Sequence, residues 1–347
     1  MRIAQVAPLF ERVPPIMYGG TERVVSYLTE ALVRLGHDVT LFASGDSITR
    51  ARLVSVWDRA LRLDPRRPEA TSLHVLMVEE VFKRASGFDV VHFHIDAMQL
   101  PLARRHSTPC VMTMHGRLDM AGLPQLYDEF RDLPLISISD AQRAPLPDAN
   151  WTATVHHGLP VELLRPQYSP GSYLAFLGRI SPEKRVDRAI QIARASGVPL
   201  RIAAKVDPVD RLYYENEIAP LIDGRFIDYV GEIDEHEKAE FLGNALALLF
   251  PIDWPEPFGL AMIEALACGT PVIAFRRGSV PEVIDEDVSG CIVDDVAGAV
   301  AAVARMPRWN RRLCRESFEQ RFSSRRMAMD YCEAYERLRR RAWRLSS

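Results

Sequence analysis

The feature that most constrains this chain is an alternation of short apolar runs with helical patterns, which occurs twice along its length. In the first half, buried strands are predicted at RIAQVA, DVTLFA, DVVHFH, CVMTMH, LPLISIS and TATVHH. The Pro- and Gly-punctuated stretch at 158–171 interrupts the pattern, which restarts with YLAFLG at 173–178. Continuous apolar strands separated by helices are typical of parallel sheets covered on both faces. The chain is therefore predicted to form two doubly wound α/β domains.

The restart of the pattern also predicts the domain boundaries. We expect an N-terminal domain over 1–160, a second domain over 171–322, and a final helix over 323–347 that packs back on the first domain. A length of 347 residues suits two domains of ordinary size. The first helix is predicted to be capped by Thr21 and to end before Gly36.

Composition and missing motifs argue against several function classes. The net charge of −3 gives no strong attraction to nucleic acid, and the five cysteines include no CxxC pair that would indicate zinc. No two of the 19 glycines are separated by a single residue, so the dinucleotide fingerprint GxGxxG, which begins with GxG, is absent. The sequence HEKAE at 236–240 lacks the second histidine of a zinc protease and is interpreted as a solvated helix face.

The chain contains neither a signal-peptide pattern nor an uninterrupted apolar run of membrane-spanning length. A cytoplasmic location is therefore expected. Five arginines and a tryptophan cluster near the end of the last helix, and we favour a solvated helix over weak peripheral contact with an anionic membrane. These residues are Arg337, Arg339, Arg340, Arg341, Trp343 and Arg344.

A nearly uncharged stretch at 254–275, WPEPFGLAMIEALACGTPVIAF, holds two carboxylates eight positions apart, Glu256 and Glu264. A helix is predicted over 257–267, with Gly259 in its first turn. Because glycine has no Cβ, a ligand can approach the N–H groups there, whose partial positive charge suits a phosphate. The spacing fits a sugar at Glu256, a diphosphate at the helix start and a ribose at Glu264. From the spacing alone, a simpler interpretation is favoured, in which Glu264 marks an exposed face and Glu256 caps the helix electrostatically.

The segment EPFGLAMIEALACGTPVIA resembles the E-x7-E motif of glycosyltransferase family 4, the retaining enzymes of GT-B fold. The resemblance spans nearly the full chain, because YGGTERVVSYLTEALVRLGHDVTLFA, GRISPEKRVDRAI and RRGSVPEVI resemble further family segments in the same order. It favours the sugar-nucleotide interpretation over the simpler one. The implied fold class is α/β, with two doubly wound Rossmann-like domains that face each other across a cleft. The first domain would bind the acceptor and the second the donor.

The resemblance also implies roles for individual residues. Arg179 and Lys184 match the two cations that hold the donor diphosphate in the family. His115 is expected to contact the donor sugar near the reacting carbon, Glu256 to hold sugar hydroxyls, and Glu264 to hold the ribose. Further diphosphate contacts are expected at Gly19, Gly20, Phe258, Gly259 and Leu260.

Further expectations concern the nucleobase and the acceptor. The residues implied on the nucleobase side are Val206, Gly231 and Glu232, and those on the acceptor side are His94 and Ser139. His92 is expected to be structural.

The implied activity is metal-independent, retaining transfer of a sugar from a nucleotide-diphosphate sugar to an unknown hydroxyl acceptor, with no cofactor and no nucleic-acid partner. Two alternatives stay open: a sugar-nucleotide epimerase of similar fold, and a protein that binds sugar nucleotides without turnover. The interdomain turn reads HHG at 156–158, where the family often has PNG, so the identities of donor and acceptor are left open. The oligomeric state is not predicted.

Overall fold

The described chain divides into two units, each built around a parallel sheet. The computed structural model describes residues 1–17 and 19–346, with side chains up to residue 340. One unit comprises Met1–Gly158 together with the final helix from Ser324, and the other comprises Leu159–Ser323.

The first unit contains seven strands over its described residues. They are β1 (Arg2–Val6), β2 (Asp38–Phe42), β3 (Arg52–Val54), β4 (Val90–Phe93), β5 (Cys110–Thr113), β6 (Leu135–Ser137) and β7 (Trp151–Thr154). Their order is β3-β2-β1-β4-β5-β6-β7, and neighbouring strands are parallel. The chain winds outward from β1 on one side and from β4 on the other, so the topological switch point lies between β1 and β4. The edge strand β3 is the one that the sequence did not predict, since three residues are too few for a periodic pattern.

The second unit repeats this architecture with six strands over its described residues. They are β8 (Tyr173–Arg179), β9 (Leu200–Lys205), β10 (Ile227–Gly231), β11 (Ala245–Phe250), β12 (Val272–Phe275) and β13 (Gly290–Val293). Their order is β10-β9-β8-β11-β12-β13, again with parallel neighbours. The switch point of this sheet lies between β8 and β11. Two doubly wound α/β domains, as the sequence predicts, are confirmed.

Helices connect the strands in both units. In the first unit they are α1 (Gly20–Arg34), α2 (Ala70–Arg84), α3 (Leu100–Ala103) and α4 (Leu123–Glu129). In the second they are α5 (Val186–Ser196), α6 (Arg211–Tyr213), α7 (Glu235–Gly243), α8 (Leu260–Ala267), α9 (Val280–Val283), α10 (Val296–Val303) and α11 (Arg311–Arg321). The final helix is α12 (Ser324–Ser346).

The ends of α1 test the prediction made for them. Gly36 follows the helix with φ 84°, the left-handed conformation that closes a helix at little cost in glycine. The predicted cap at Thr21 is wrong, because α1 begins at Gly20 and its N-cap is Gly19. The helix therefore starts directly at the glycine pair.

Each sheet has its own apolar core. In the first unit the core includes Val6, Phe42 and Phe93, which are fully buried. In the second it includes Leu174 and Ile202, likewise fully buried. Burial on both faces explains why the strands appear in the sequence as continuous apolar runs.

Helix α12 packs along α1 in the first unit and buries two tyrosines there, Tyr331 and Tyr335. The two rings stack with centroids 6.0 Å apart. The hydroxyl of Tyr335 accepts a hydrogen bond from Gln5 Nε2 at 3.0 Å. The last helix thus completes the core that β1 begins.

Two described arginines near the end of α12 lie beside acids of the same helix. Arg337 contacts Glu333 at 2.5 Å and Arg340 contacts Glu336 at 3.6 Å, one helical turn away in each case. The side chains of Arg341, Trp343 and Arg344 lie outside the described residues. Over the described chain, no helix has both the length and the apolar character needed to cross a bilayer. Weak peripheral contact with a membrane stays the less favoured alternative.

Candidate functional site

The predicted donor residues of the second unit follow strands on both sides of its switch point. Arg179 is the last residue of β8, and the loop that carries Glu256 follows the neighbouring strand β11. Val206 comes directly after β9, and Gly231 ends β10. Ligands of doubly wound sheets bind at the carboxyl ends of strands beside the switch point. The fold therefore gathers at one sheet edge residues that the sequence disperses.

Glu256 has one carboxylate oxygen fixed by the protein. Its side chain is 10% exposed, and Oε2 accepts hydrogen bonds from Lys184 Nζ and, at 2.9 Å, from Trp254 Nε1. The Lys184 ammonium also lies 4.8 Å from the centre of the Trp254 ring, within the range of a cation–π contact. Oε1 has no hydrogen-bond partner in the described part of the chain. This second oxygen is the one that a ligand hydroxyl would reach.

Glu264 is held in the same manner by a residue that the sequence did not identify. Lys238 Nζ, on α7, donates to Glu264 Oε1 at 2.7 Å, and the two side chains are 13% and 6% exposed. Among the described residues, no hydrogen bond to Glu264 Oε2 is formed. Both carboxylates of the E-x7-E spacing thus combine one oxygen fixed by a lysine with one oxygen that the described protein leaves unoccupied.

The interpretation of HEKAE as a solvated helix face is wrong for Lys238. His236, Glu237 and Glu240 are exposed as expected, but Lys238 points to Glu264. A signal was available, because Lys238 lies three and four positions before the buried residues Phe241 and Leu242 and hence on their side of the helix.

The start of α8 differs from the prediction by three residues. The helix begins at Leu260, whereas Pro257 was predicted, and Gly259 is the N-cap with φ 83°. A Cβ at Gly259 would lie 2.9 Å from Phe250 Cζ, so both backbone conformation and packing require glycine. Phe258 is buried, and its carbonyl accepts a hydrogen bond from Ser279 Oγ at 2.8 Å. The first amides of α8 have no acceptors within the helix and carry partial positive charge.

The two predicted diphosphate cations are both paired with carboxylates. Arg179 contacts Glu183 at 2.6 Å, Asp207 at 3.5 Å and Asp210 at 3.8 Å. Lys184 ends a short 3-10 turn and pairs with Glu256 as described above. A diphosphate at this place would compete with these carboxylates for Arg179, whereas the three N–H groups of the Lys184 ammonium can serve Glu256 and a phosphate oxygen together. Of the predicted nucleobase residues, Val206 is half-buried and Glu232 is exposed.

In the first unit, the glycine loop and two histidines lie at the ends of adjacent strands. Gly19 and Gly20 follow the loop after β1, and His94 follows its neighbour β4. A Cβ at Gly19 would come within 2.8 Å of Pro15 Cβ, which explains the glycine there. His115 follows β5, the next strand along the sheet. These residues flank the switch point of the first sheet.

The histidines form a hydrogen-bonded cluster. His94 Nδ1 lies 2.8 Å from His115 Nε2, and the His115 ring stacks on His157 with centroids 5.3 Å apart. Burial lowers the pKa of His115 to about 3 and the pKa of His94 well below its ordinary value. Both rings are therefore neutral at pH 7. His92 is fully buried and hydrogen bonded to Thr113 at 2.7 Å, as a structural histidine should be.

Two further groups of the described chain are Ser139 and a set of side chains that could bind a metal ion. Ser139 is buried, and its hydroxyl accepts a hydrogen bond from the Gln142 amide at 3.0 Å; its place on the acceptor side stays a prediction. Among the described residues, the potential metal ligands that lie within 4.8 Å of one another are Glu286, Asp287 and Cys291. This group does not include any of the predicted donor residues.

Two doubly wound α/β units, with the predicted site residues at their switch points, are the architecture of the GT-B glycosyltransferases. The fold matches that of AviGT4, a glycosyltransferase of avilamycin A biosynthesis, with a TM-score of 0.74, 24% identity and 98% of each chain covered. Residues 166–309 match the family model described as glycosyl transferases group 1, and residues 18–155 match the model of glycosyltransferase family 4. The chain belongs to glycosyltransferase family 4.

Sequence relatives agree with this assignment. A D-inositol 3-phosphate glycosyltransferase from Saccharomonospora viridis is 32% identical over 299 residues, which cover 71% of this chain and 69% of that protein. A GDP-mannose-dependent alpha-(1-6)-phosphatidylinositol dimannoside mannosyltransferase from Mycobacterium tuberculosis is 33% identical over 162 residues. That match spans 45% of this chain and 41% of the mannosyltransferase.

Proposed function

We propose that the chain is a retaining glycosyltransferase that moves a sugar from a nucleoside diphosphate sugar to a hydroxyl group of an acceptor. One observation carries the proposal: Glu256 and Glu264 each have one oxygen fixed by a lysine and another without a partner among the described residues. Carboxylate oxygens accept hydrogen bonds from hydroxyl groups, which sugars and riboses supply. The start of α8 lies between the two acids in the sequence and suits the diphosphate between sugar and ribose.

In the proposed reaction, the bond from the anomeric carbon to the phosphate oxygen breaks and a bond to the acceptor oxygen forms. Arg179, Lys184 and the first amides of α8 stabilise the negative charge that develops on the leaving diphosphate. The acceptor attacks from the face on which the diphosphate leaves, and a phosphate oxygen takes the acceptor proton. Retention then requires no protein nucleophile on the opposite face. Positive charge is supplied by the chain itself, so the proposal includes no metal.

In this proposal His115 forms a hydrogen bond with the donor sugar. Its neutral ring donates or accepts a hydrogen bond without adding a charge near the reacting carbon. Glu256 holds hydroxyls of the sugar through Oε1, while Lys184 and Trp254 fix Oε2. Such positioning lowers the barrier to transfer, because the reacting groups are oriented before the bond breaks.

The donor is tested first by thermal shift with UDP-, GDP-, ADP- and dTDP-sugars, because ligands that bind the folded chain raise its melting temperature. The mannosyltransferase relative is GDP-mannose-dependent by name, so GDP-mannose belongs in the first panel. The stabilising donor is then incubated with candidate hydroxyl acceptors, and products are analysed by mass spectrometry and by NMR of the anomeric proton. We expect transfer with retained anomeric configuration.

The role of Glu256 is tested by Glu256→Gln, which keeps the shape of the side chain and removes its charge. We expect transfer to fall by at least about 100-fold, comparable to the loss of one group that stabilises a transition state. Glu240→Gln is the matched control, because Glu240 is an exposed acid of the same unit. Full activity of Glu256→Gln would contradict the assignment. Conversion of the donor without an acceptor would instead indicate an epimerase, and binding without any turnover a binding protein.

A further inference from the structure

A chain of buried polar side chains connects the last helix to His115 within the first unit. The Tyr335 hydroxyl, on α12, lies 3.0 Å from Gln5 Nε2, and Gln5 Oε1 lies 2.7 Å from His94 Nε2. His94 Nδ1 in turn lies 2.8 Å from His115 Nε2. Tyr335, Gln5 and His94 are 0%, 0% and 4% exposed, so water does not substitute for any of these contacts.

The chemistry of each atom sets the direction of the hydrogen bonds. An amide oxygen only accepts, so His94 Nε2 carries the hydrogen that faces Gln5 Oε1. A neutral imidazole has one N–H, and His94 Nδ1 is therefore an acceptor. It follows that His115 donates from Nε2 and that its own Nδ1 carries no hydrogen. One amide of β1 thus determines the tautomer of a ring two strands away.

The orientation of the Gln5 amide depends on Tyr335. The Tyr335 hydroxyl also lies 2.7 Å from His92 Nδ1, whose other nitrogen contacts Thr113 Oγ1 at 2.7 Å. When Tyr335 donates its single hydrogen to His92, its oxygen is left to accept from Gln5 Nε2. This arrangement turns Gln5 Oε1 toward His94. The reverse amide orientation would reverse every bond of the chain and place a hydrogen on His115 Nδ1.

The chain ends at a nitrogen that has no protein partner. His115 Nδ1 is enclosed, and no hydrogen bond to it is formed among the described residues. An enclosed polar atom without a partner is unfavourable, so the group that it lacks has to come from a ligand or an ordered water. A bare imidazole nitrogen accepts, so the missing group is a donor such as a hydroxyl.

We propose that Gln5, held by Tyr335 and acting through His94, positions His115 as a hydrogen-bond acceptor for a hydroxyl of the transferred sugar. The inference rests on the proposed function for the identity of the ligand, whereas the tautomer itself does not depend on it. Gln5, His94 and Tyr335 are positioning residues in this account. Helix α12 follows the whole second unit in the sequence, and through Tyr335 it influences the tautomer of His115 in the first unit.

The test compares two buried tyrosines whose hydroxyl groups have different hydrogen-bond partners. Tyr331 and Tyr335 are both fully buried on α12, but Tyr335 contacts Gln5 and Tyr331 contacts Thr113 at 3.0 Å. The full chain is labelled with ¹⁵N-histidine, and two-bond ¹H–¹⁵N correlation spectra identify the protonated nitrogen of each ring. His115→Gln assigns the His115 signals.

We expect His115 to be protonated at Nε2 in the wild type and in Tyr331→Phe, and to show a mixture of tautomers in Tyr335→Phe and Gln5→Met. With the donor that the thermal-shift panel identifies, kcat/KM should fall about tenfold in Tyr335→Phe and less than twofold in Tyr331→Phe. A hydrogen on His115 Nδ1 in the wild type would overturn the proposal, as would an unchanged tautomer in both Tyr335→Phe and Gln5→Met. If no donor is turned over, the proposed function fails, while the spectra still decide whether Gln5 sets the tautomer.

Discussion

Replacing Lys238 by methionine removes one partner of an ion pair that is almost enclosed. The Lys238 and Glu264 side chains are 13% and 6% exposed, and their charged atoms are 2.7 Å apart. Without Lys238, the Glu264 carboxylate stays buried with no described partner for either oxygen. Breaking a buried pair from one side costs about 3–5 kcal/mol, because the remaining charge has lost both water and counter-ion. We expect Lys238→Met to lower the free energy of unfolding by that amount.

The double-mutant cycle makes this prediction sharper. Glu264→Gln leaves a neutral amide and should cost less, about 1–3 kcal/mol. When both residues are replaced, no buried charge is left alone, so the double variant should be more stable than the sum of the single effects implies by about 2 kcal/mol. The measurement is urea unfolding of the full chain, followed by circular dichroism, with the melting temperature as a second readout.

Lys83→Met is the matched control, because Lys83 makes the same kind of contact on an exposed helix face. Its ammonium lies 4.0 and 3.8 Å from Glu79 and Glu80, and its side chain is 59% exposed. Exposed pairs contribute about 0–1 kcal/mol. Equal effects of Lys238→Met and Lys83→Met would refute the argument, and so would strict additivity in the cycle.

Two further predictions concern buried groups outside the donor residues. Arg311 is 4% exposed and donates hydrogen bonds to three backbone carbonyls and a hydroxyl at 2.6–2.8 Å. Arg311→Met should therefore reduce the free energy of unfolding by about 3–5 kcal/mol. The control Arg308→Met, at an exposed arginine, should change it by less than about 0.5 kcal/mol. Burial holds the pKa of His92 well below its ordinary value of 6.5, so the unfolded chain binds a proton at this residue below pH 6.5 that the folded chain does not. The contribution of His92 to stability is complete above pH 6.5 and falls as the pH is lowered, by about 1.4 kcal/mol per pH unit. Urea unfolding of His92→Gln between pH 6.5 and 5 should show a slope of unfolding free energy against pH that is smaller than in the wild type by this roughly 1.4 kcal/mol per pH unit. An unchanged slope would contradict the prediction.

The parts of the fold that could be predicted from the sequence are those set by local patterns. Continuous apolar runs indicate buried parallel strands, and a glycine after a helical pattern indicates its end, as at Gly36. The E-x7-E spacing is also local, because eight residues span one loop and one short helix. Helix starts were less accurate, since Gly19 and Gly259 act as caps through their backbone conformation and not through a side-chain pattern.

The features that sequence reasoning missed depend on residues far apart in the chain. Lys238 and Glu264 are 26 positions apart, and nothing near Lys238 indicates that an acid will face it. Gln5 and Tyr335 are separated by 330 positions, and only the return of the final helix to the first sheet brings them together. A lone glutamine in an apolar strand gives no sign of the histidine it will orient.

The return of α12 to the first unit also affects how the protein is made. A ribosome synthesises residues 1–158 first, then the whole second unit, and only afterwards the segment that carries Tyr331 and Tyr335. Until that segment emerges, the apolar surface that these rings cover in the first unit is open to water, although all seven of its described strands already exist. The second unit is continuous in sequence, so all of its residues have been synthesised before α12 is. The nascent chain should therefore complete its second half before its first, an order opposite to the direction of translation.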